Sequence, residues 1–265
     1  MKLNVLVDNN TYIDQYYLGE PAVSYYIEDQ GTKILFDAGY SDAFLSNAKK
    51  MQIDLNEVQK LVLSHGHEDH TGGLRYYMDR RRDIEIIGCP GVFAKKIYGG
   101  SIGSPYSEEE LSARSRVTLS AAPIPVSRNI TFLGEIPTIF GFEKRYHIGK
   151  LAKGTGFTDD YLYDDSAMVC KNEDGIFIIT GCSHSGICNI IEYAKQVCHE
   201  KRVLGVIGGF HLFENDERTR STIEYLQKNQ IKLLYPCHCV SLKVKTEMAK
   251  VLDIIEVGVG LEIVI

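Results

Sequence analysis

The sequence predicts an α/β fold, with a sheet-containing core and helices on its outside. Three observations support this prediction. Short apolar runs are typical of buried strands, and apolar stripes at helical spacing lie between them. The order of these segments also fits, because hairpins come early in the chain and strand–helix alternation follows. A chain of 265 residues suits one layered α/β unit, so we expect a single domain over residues 1–265.

The expected strands are rich in β-branched and aromatic residues, and Gly, Asp, Asn or Pro lies near most of their ends. Polar turns at 28–31 and 172–175 join neighbouring strands as hairpins. The nine runs are Leu3–Val7, Val23–Ile27, Lys33–Phe36, Leu61–Leu63, Ile84–Ile87, Ala167–Val169, Ile176–Ile179, Val203–Ile207 and Ile231–Tyr235.

Three apolar stripes predict helices, since their apolar residues recur three or four positions apart. The stripes run over Phe44–Met51, Ile187–Val197 and Leu242–Leu252. The stretch from about 89 to 160 differs, because it is rich in Gly, Ser and Pro and carries the acidic run Glu108–Glu110. We predict that this stretch is a partly helical insertion that covers one side of the core as a lid.

The composition argues against several functional classes. The net charge of −6 and the pI of about 5.8 disfavour nucleic-acid binding, which needs a broad basic surface. The basic run Arg80–Arg82 is flanked by Asp79 and Asp83. No apolar stretch reaches the roughly 18 residues that span a membrane, and we find no signal-peptide pattern. The seven cysteines are therefore expected to be thiols in the cytoplasm.

The strongest chemical signal is a cluster of histidines and acids that follows the strand expected at 61–63. Three histidines and two acids stand within six residues, in the order His65-Gly-His67-Glu-Asp69-His70. Imidazole nitrogens and carboxylate oxygens hold zinc, iron or manganese. His65 and His67 point the same way on an extended chain end, so they can share one ion. Asp69 and His70 lie past the turn, where they can reach a second ion.

Three later histidines, His184, His211 and His238, also stand just past the ends of expected strands. Sites in layered α/β proteins gather where strand ends meet loops. We therefore expect His184 and His238 to complete a two-metal site, whereas His211 is either a further ligand or a substrate contact. Asp37 closes another expected strand, and it either hydrogen-bonds a ligand histidine or forms a turn.

These motifs resemble the metallo-β-lactamase superfamily. The signature His65-x-His67-x-Asp69-His70 follows Phe36-Asp37-x-Gly39, and the segments Gly181–Ile187 and Gly208–Leu212 resemble one branch of the superfamily. That branch contains the dihydropterin-6-methyl ribofuranosyl-aminobenzene phosphate synthases of methanopterin biosynthesis. The resemblance implies a four-layer αββα sandwich of two mixed sheets flanked by helices. It also implies two sets of metal ligands, with His65, His67 and His184 in one and Asp69, His70 and His238 in the other.

The resemblance breaks at one point of the implied site. The superfamily commonly has an aspartate that bridges both metal ions in a Gly-Asp pair, and this chain has Gly181-Cys182 there. Cys182 is expected either to ligate as a thiolate or only to pack, and Asp165 is the alternative source of a carboxylate. Asn9, at the end of the first strand, also matches the branch and is a candidate substrate contact.

The leading functional hypothesis is metal-activated hydrolysis of a phosphoester, phosphodiester or lactone in a small, anionic molecule. Asp69 would orient the attacking water, and His211 would stabilise the developing oxyanion. The expected cofactors are one or two divalent ions, with zinc first and manganese or iron as alternatives. A second hypothesis is a transferase that joins a dihydropterin methyl diphosphate to a ribofuranosylaminobenzene phosphate. A third is a non-catalytic metal-binding module.

Overall fold

The computed structural model describes residues 1–79, 81 and 83–265, so Arg80 and Arg82 of the basic run lie outside the described residues. Most strands in these ranges are short, and they are distributed along the chain from residue 2 to residue 264. In chain order they are β1 (Lys2–Val7), β2 (Ser24–Asp29), β3 (Thr32–Phe36), β4 (Lys60–Val62), β5 (Glu85–Gly88), β6 (Lys96–Ile97), β7 (Arg116–Leu119), β8 (Ile124–Pro125), β9 (Ile130–Phe132), β10 (Lys150–Lys153), β11 (Gly156–Asp159), β12 (Ala167–Lys171), β13 (Ile176–Thr180), β14 (Val203–Gly208), β15 (Leu233–Pro236) and β16 (Glu262–Val264).

The longer helices lie in the last third of the chain. No helix in the described ranges is long and apolar enough to cross a membrane. Two 3₁₀ turns, at Leu55–Glu57 and Gly141–Glu143, add to the helices. In chain order the α-helices are α1 (Ala43–Lys50), α2 (Glu68–Thr71), α3 (Leu74–Tyr77), α4 (Glu108–Ser112), α5 (Ile187–Cys198), α6 (Glu217–Lys228) and α7 (Leu242–Met248).

Two mixed sheets form the centre of the molecule. The first has the strand order β16-β1-β2-β3-β4-β5-β7, and the second has the order β15-β14-β13-β12-β9-β8. Strands β1, β2 and β3 pair antiparallel, whereas β3, β4, β5 and β7 pair in parallel. Strands β13, β14 and β15 are likewise parallel, with β12 antiparallel beside β13. The two mixed sheets that the resemblance implied are therefore confirmed.

Three hydrophobic clusters show how the sheets and helices are layered. One lies between the two sheets and includes Phe36 of β3 and Phe177 of β13. Another covers the outer face of the first sheet with α1, around Phe44. The third covers the outer face of the second sheet with α5 and α6, around Ile190 and Leu226. Burial on both faces explains why the strands are almost continuously apolar, and the order of layers confirms the αββα sandwich.

The predicted strands agree with the observed ones to within two residues at either end. The predicted helix at 242–252 is shorter than expected, because α7 ends at Met248. Helix α6 has no predicted counterpart. Its buried face consists of Thr219, Thr222 and Leu226, and threonines do not stand out as an apolar stripe in a sequence.

The stretch at 89–160, predicted as a covering insertion, contributes strands to all three sheets. Strand β7 forms one edge of the first sheet, and β8 and β9 form one edge of the second. Strand β10 pairs antiparallel with β6 on one side and with β11 on the other, which forms a small third sheet. The helix in this stretch is α4, which begins with a capping box formed by Ser107 and Glu110. A role of the stretch as a lid stays a prediction.

Glu143 ties this stretch to the helix behind the second sheet. Its buried carboxylate accepts hydrogen bonds from the backbone N–H groups of Cys188 (3.0 Å) and Asn189 (2.7 Å). Both groups lie in the first turn of α5, where N–H groups have no partner within a helix. Gly186 precedes the helix with a φ of 94°, and a Cβ at this position would overlap the Glu143 carboxylate. The contact therefore requires glycine.

We expect Glu143→Ala to lower the free energy of unfolding by about 1–3 kcal/mol, because two buried backbone donors lose their acceptor. Chemical denaturation followed by circular dichroism measures the change. The matched control is Glu173→Ala at an exposed position, which should change the free energy by less than about 0.5 kcal/mol. A loss for Glu143→Ala no larger than that of the control would contradict the capping role.

Candidate metal centre

The candidate centre lies where the carboxyl ends of strands from both sheets meet. From the first sheet, β4 leads into the loop and helix at Ser64–Thr71. From the second sheet, β13 leads into Cys182–His184, β14 into His211 and β15 into His238. Parallel neighbours bring their carboxyl ends to one edge, so the histidines singled out in the sequence reach the same edge of the sandwich.

One half of the centre consists of His65, His67 and His184. The ring centroids lie 4.7 Å apart for His65 and His67, 4.8 Å for His65 and His184, and 5.1 Å for His67 and His184. Within the described residues, no hydrogen-bond partner reaches Nε2 of His65, Nε2 of His67 or either nitrogen of His184. Burial lowers the pKa of all three imidazoles, that of His67 to about 4. Neutral rings with unused lone pairs fit a metal ion, which binds unprotonated nitrogen.

The other half consists of Asp69, His70, His238 and Cys182. Asp69 Oδ2 lies 3.5 Å from Nε2 of His70 and 3.3 Å from Nε2 of His238. Cys182 Sγ lies 3.1 Å from the same His70 nitrogen. Partial burial by itself would raise the pKa of Asp69, but the neighbouring His70 and His238 hold that pKa well below its usual range. Asp69 is therefore an ionised carboxylate at neutral pH.

Among the described residues, three groups of donor atoms are compact enough to hold a metal ion, since all donor atoms of a group lie within 4.8 Å of one another. Together they contain the six residues that the resemblance implied as ligands, and Cys182 besides. Imidazole, carboxylate and thiol groups are the donors that zinc and similar divalent ions prefer. The first group is Asp69, His70, Cys182 and His238, the second is His65, Cys182 and His184, and the third is His65, His67 and Asp69.

Asp37 orients the histidine loop from behind. Its Oδ2 accepts hydrogen bonds from Nδ1 of His70 (2.7 Å) and from the Ser64 hydroxyl (2.7 Å), and its Oδ1 accepts one from the Ser64 N–H (2.7 Å). Burial by itself would lower the pKa of His70, but the charges of Asp69 and Asp37 raise that pKa well above its usual range. A carboxylate behind a ligand histidine fixes its ring orientation and raises its basicity.

Asp8 and Asn9 orient His238 in a similar way. Asp8 Oδ1 accepts a hydrogen bond from the His238 backbone N–H (2.9 Å), and Asn9 Oδ1 lies 3.1 Å from Nδ1 of the same histidine. Asn9 also lines the cavity above the centre. Its amide oxygen, however, is engaged by His238, so the structure places Asn9 behind a candidate ligand as well as beside the space expected for substrate.

Two consecutive aspartates, Asp164 and Asp165, connect the loops of the two sheets. Asp164 Oδ2 accepts a hydrogen bond from the Gly66 N–H (2.8 Å), in the loop of the first sheet. Asp165 Oδ2 accepts one from the Ser185 N–H (2.8 Å), in the loop of the second. In the described part of the chain, Asp165 belongs to none of the three donor groups. Asp165, which the sequence analysis offered as an alternative carboxylate for the metal, therefore holds a loop in the structure.

Lys96 balances part of this negative charge. Its buried ammonium group donates to Asp164 Oδ1 (2.9 Å) and to Asp160 Oδ2 (2.7 Å). A buried charge persists only when it is paired in this way. No sequence pattern distinguishes such a buried lysine from a solvated one, which is why the sequence did not identify Lys96 as part of the site.

His211 lies beside the centre but outside the donor groups found among the described residues. Its ring centroid is 4.4 Å from that of His184, and the Tyr146 hydroxyl contacts its Nδ1. Burial lowers the pKa of His211 to about 4 and raises that of Tyr146 to about 12. Both groups are neutral near pH 7, and we infer that the tyrosine donates to Nδ1. Nε2 of His211 then carries the ring proton, which suits a substrate contact better than a ligand role.

The centre opens onto a cavity of about 560 Å³. Its lining combines donor residues such as Asp69 with apolar side chains that include Ile102, Ile148 and Phe213. An adjoining cavity of about 750 Å³ shares Ile148, His211 and Phe213 with the first. The stretch at 89–160 supplies Ile102 and Ile148, so it forms part of the wall around the centre.

Four non-glycine residues around the centre have a left-handed backbone conformation. The φ angles are 55° for Asp37, 55° for Ser183, 49° for His211 and 51° for His238. Such residues cost on the order of 1 kcal/mol each and cluster at functional sites, where the surrounding structure holds them. Here they turn the chain sharply at strand ends, which brings side chains from separate strands together.

Comparison with known proteins identifies the family of the chain. The sequence profile of the metallo-beta-lactamase superfamily matches residues 18–182, more than half of the chain. The chain belongs to the metallo-beta-lactamase superfamily. Among superfamily proteins it is similar to the 7,8-dihydropterin-6-methyl-4-(beta-D-ribofuranosyl)-aminobenzene-5'-phosphate synthase of Methanocaldococcus jannaschii, with 34% identity over 82% of this chain and 79% of the relative. A second protein of that organism, MJ0448, is 29% identical over 97% of this chain and 98% of its own length.

A solved structure of the superfamily shares the same fold over the whole chain. It is Tm1679, described as a metal-dependent hydrolase of the beta-lactamase superfamily. The two structures superpose with a TM-score of 0.86 at 25% identity, covering 100% of this chain and 99% of the other. The metallo-beta-lactamase fold implies divalent metal binding, and the donor groups described above are the candidate ligands for it in this chain.

We expect Asp37→Asn to weaken metal binding by roughly 10–100-fold, because the amide cannot accept from His70 and Ser64 as the carboxylate does. Competition with a chromophoric chelator measures the affinity. Asp29→Asn is the matched control, since Asp29 is also a buried acid and accepts from Ser127 and Asn129 far from the centre. An equal loss of affinity in both variants would contradict the orienting role of Asp37.

Metal binding should also stabilise the folded chain. Adding zinc to chelator-treated protein at about 100 times the dissociation constant is expected to raise the free energy of unfolding by about 2.7 kcal/mol. Thermal and chemical unfolding with and without zinc measure the difference. His184→Ala should lose most of this gain, and His199→Asn, at an exposed position, should keep it. Equal gains in the two variants would show that zinc acts elsewhere.

Proposed function

We propose that the chain is a metal-dependent hydrolase that acts on a phosphoester, phosphodiester or lactone of a small, anionic molecule. The observation that carries the proposal is a cluster of neutral imidazoles beside ionised Asp69 at the base of one cavity, with ring nitrogens that no group in the described part of the chain engages. Similarity to Tm1679, described as a metal-dependent hydrolase, supports this reading at 25% identity.

Bound divalent ions would lower the pKa of water and polarise the bond to be broken. Zinc is the proposed ion, because the donors are mainly imidazoles with a thiol among them, and manganese and iron are the alternatives. The residues proposed as ligands are His65, His67 and His184 for one ion, and Asp69, His70 and His238 for the other.

Asp69 and His211 are the proposed catalytic residues. The ionised Asp69 carboxylate lines the cavity, so it can accept a hydrogen bond from the attacking water and orient it. His211 is neutral and, with Tyr146 donating to Nδ1, offers Nε2–H as a donor. That donor would stabilise negative charge that develops on a substrate oxygen. Tyr146 is a positioning residue in this scheme, because it acts through His211.

The stretch at 89–160 is proposed to act as the lid of the site, within a single domain. Ile102 and Ile148 from this stretch line the cavity, and Tyr146 holds His211 from the same side. Apolar side chains at these positions would exclude water from the substrate once it is bound. Asp69 still has a side-chain exposure of 33%, which argues for an accessible, catalytic centre over a closed metal-binding module.

The proposal is tested with metal-loaded protein on a panel of phosphomonoesters, a cyclic phosphodiester and a lactone. We expect turnover of at least one substrate, and His67→Ala should reduce it to background. His199→Asn controls for the loss of a histidine outside the site, and asparagine tolerates the left-handed conformation of that position. If the unaltered protein turns over nothing faster than His67→Ala does, hydrolysis is excluded for these classes.

His211→Ala should lower kcat by roughly 10²–10³-fold with little change in KM, because the lost donor acts mainly in the transition state. Steady-state kinetics on the substrate found above measure both constants. Tyr146→Phe removes only the hydroxyl behind His211 and should cause a smaller loss. A change confined to KM would assign His211 to ground-state binding instead.

A transferase reaction is the second candidate, favoured by the 34% identity to a protein named as a synthase. In that reaction a pterin methylene group would join a ribofuranosylaminobenzene phosphate, with loss of diphosphate. The two adjoining cavities offer space for two ring-bearing substrates. Incubation with dihydropterin methyl diphosphate and the aminobenzene partner separates the candidates by mass spectrometry. A coupled product supports the transferase, whereas phosphate release without coupling supports the hydrolase.

A further inference from the structure

We propose that Cys182 is a ligand shared by both metal ions, so that a thiolate joins them where the superfamily commonly has a carboxylate. The inference rests on the metal assignment of the proposed function and adds one donor to it. It concerns the composition of the centre and is independent of which substrate the centre turns over.

The sulfur of Cys182 is a donor that two of the three groups have in common. It lies within 4.8 Å of the donor atoms around Asp69 and, in a second group, of those of His65 and His184. A tetrahedral ion with nitrogen at about 2.0 Å and sulfur at about 2.3 Å separates the two donors by roughly 3.5 Å. The 3.1 Å between Cys182 Sγ and His70 Nε2 is close to this separation.

The surroundings of Cys182 leave its sulfur no competing role of comparable strength. The residue is 3% exposed. Its sulfur contacts Nε2 of His70, whose other nitrogen is held by Asp37, and the thiol of Cys239, which is only a weak hydrogen-bonding group. His184 lies buried in the same group with both ring nitrogens unpartnered among the described residues. Unpaired imidazole nitrogens around a buried sulfur are the arrangement expected of ligands that await an ion.

The neighbouring thiol of Cys239 has a different setting. Its sulfur accepts a hydrogen bond from the His211 N–H (3.3 Å) and contacts the Cys182 carbonyl oxygen at 3.6 Å. Within the described residues it belongs to no donor group. Cys239 lines the same cavity, so it is a matched control for any effect of a thiol near the centre.

Ligation by Cys182 requires loss of the thiol proton and no redox step. The S–H bond breaks as sulfur–metal bonds form, and the proton passes to solvent without any change of oxidation state. A thiolate is a softer ligand than a carboxylate, so the centre should favour zinc, cobalt or cadmium over manganese. The replacement of the common aspartate thus narrows the choice of metal.

Cobalt(II) titration of chelator-treated, reduced protein tests the proposal without reference to activity. A thiolate bound to cobalt gives a charge-transfer absorption band in the near ultraviolet, and metal analysis counts the ions. We expect the band to grow over both the first and the second equivalent of cobalt. Cys182→Ser and Cys182→Asp should bind cobalt without the band, and Cys239→Ser should keep it.

Every other outcome contradicts the proposal, and each one identifies the part of it that is wrong. A band that grows over only one equivalent makes Cys182 a terminal ligand, and this result comes from the unaltered chain even if a variant fails to fold. A band that survives in Cys182→Ser or disappears in Cys239→Ser assigns the thiolate elsewhere. Cobalt binding without any band refutes the shared ligand alone, whereas failure to bind cobalt refutes the metal assignment of the proposed function as well.

Discussion

The structure depends on keeping three imidazoles buried and neutral in one place, with ring nitrogens that have no hydrogen-bond partner among the described residues. A buried polar group without a partner costs about 1–3 kcal/mol, so the loops that carry these rings must be held firmly by other contacts. Asp37, Asp164 and Asp165 provide those contacts, because each accepts a hydrogen bond from a ring or backbone N–H of a histidine-bearing loop. Carboxylates behind the loops, with Lys96 to balance that of Asp164, leave the lone pairs in front available.

The topology explains how residues so distant in the chain reach one point. Strands β3 and β4 in the first sheet, and β13, β14 and β15 in the second, are parallel neighbours whose carboxyl ends lie at the same edge. Left-handed corners at Asp37, His211 and His238 then turn the chain back over that edge. Asparagine, aspartate and histidine adopt this conformation more readily than most residues, so the same side chains satisfy the turn and the chemistry.

The fold class and the histidines were readable from the sequence because both leave local patterns. Apolar runs mark strands buried on both faces, and three histidines with two acids in six residues mark a metal site. The supporting contacts leave no such pattern. Asp164 meets Gly66 across 98 residues, and Tyr146 meets His211 across 65. The role of Asn9 behind His238 is equally non-local, and Thr-rich α6 lacks the apolar stripe that marks a helix.

The donor residues are divided between the two sheets, with His67 in the first half of the chain and His184 in the second. An ion bound by both would cross-link segments that are more than 100 residues apart, and such a link favours the folded chain over the unfolded one. A bound metal ion would therefore contribute to the stability of the folded chain as well as to its chemistry. Without the ion the chain would unfold more often, and proteases would remove it sooner.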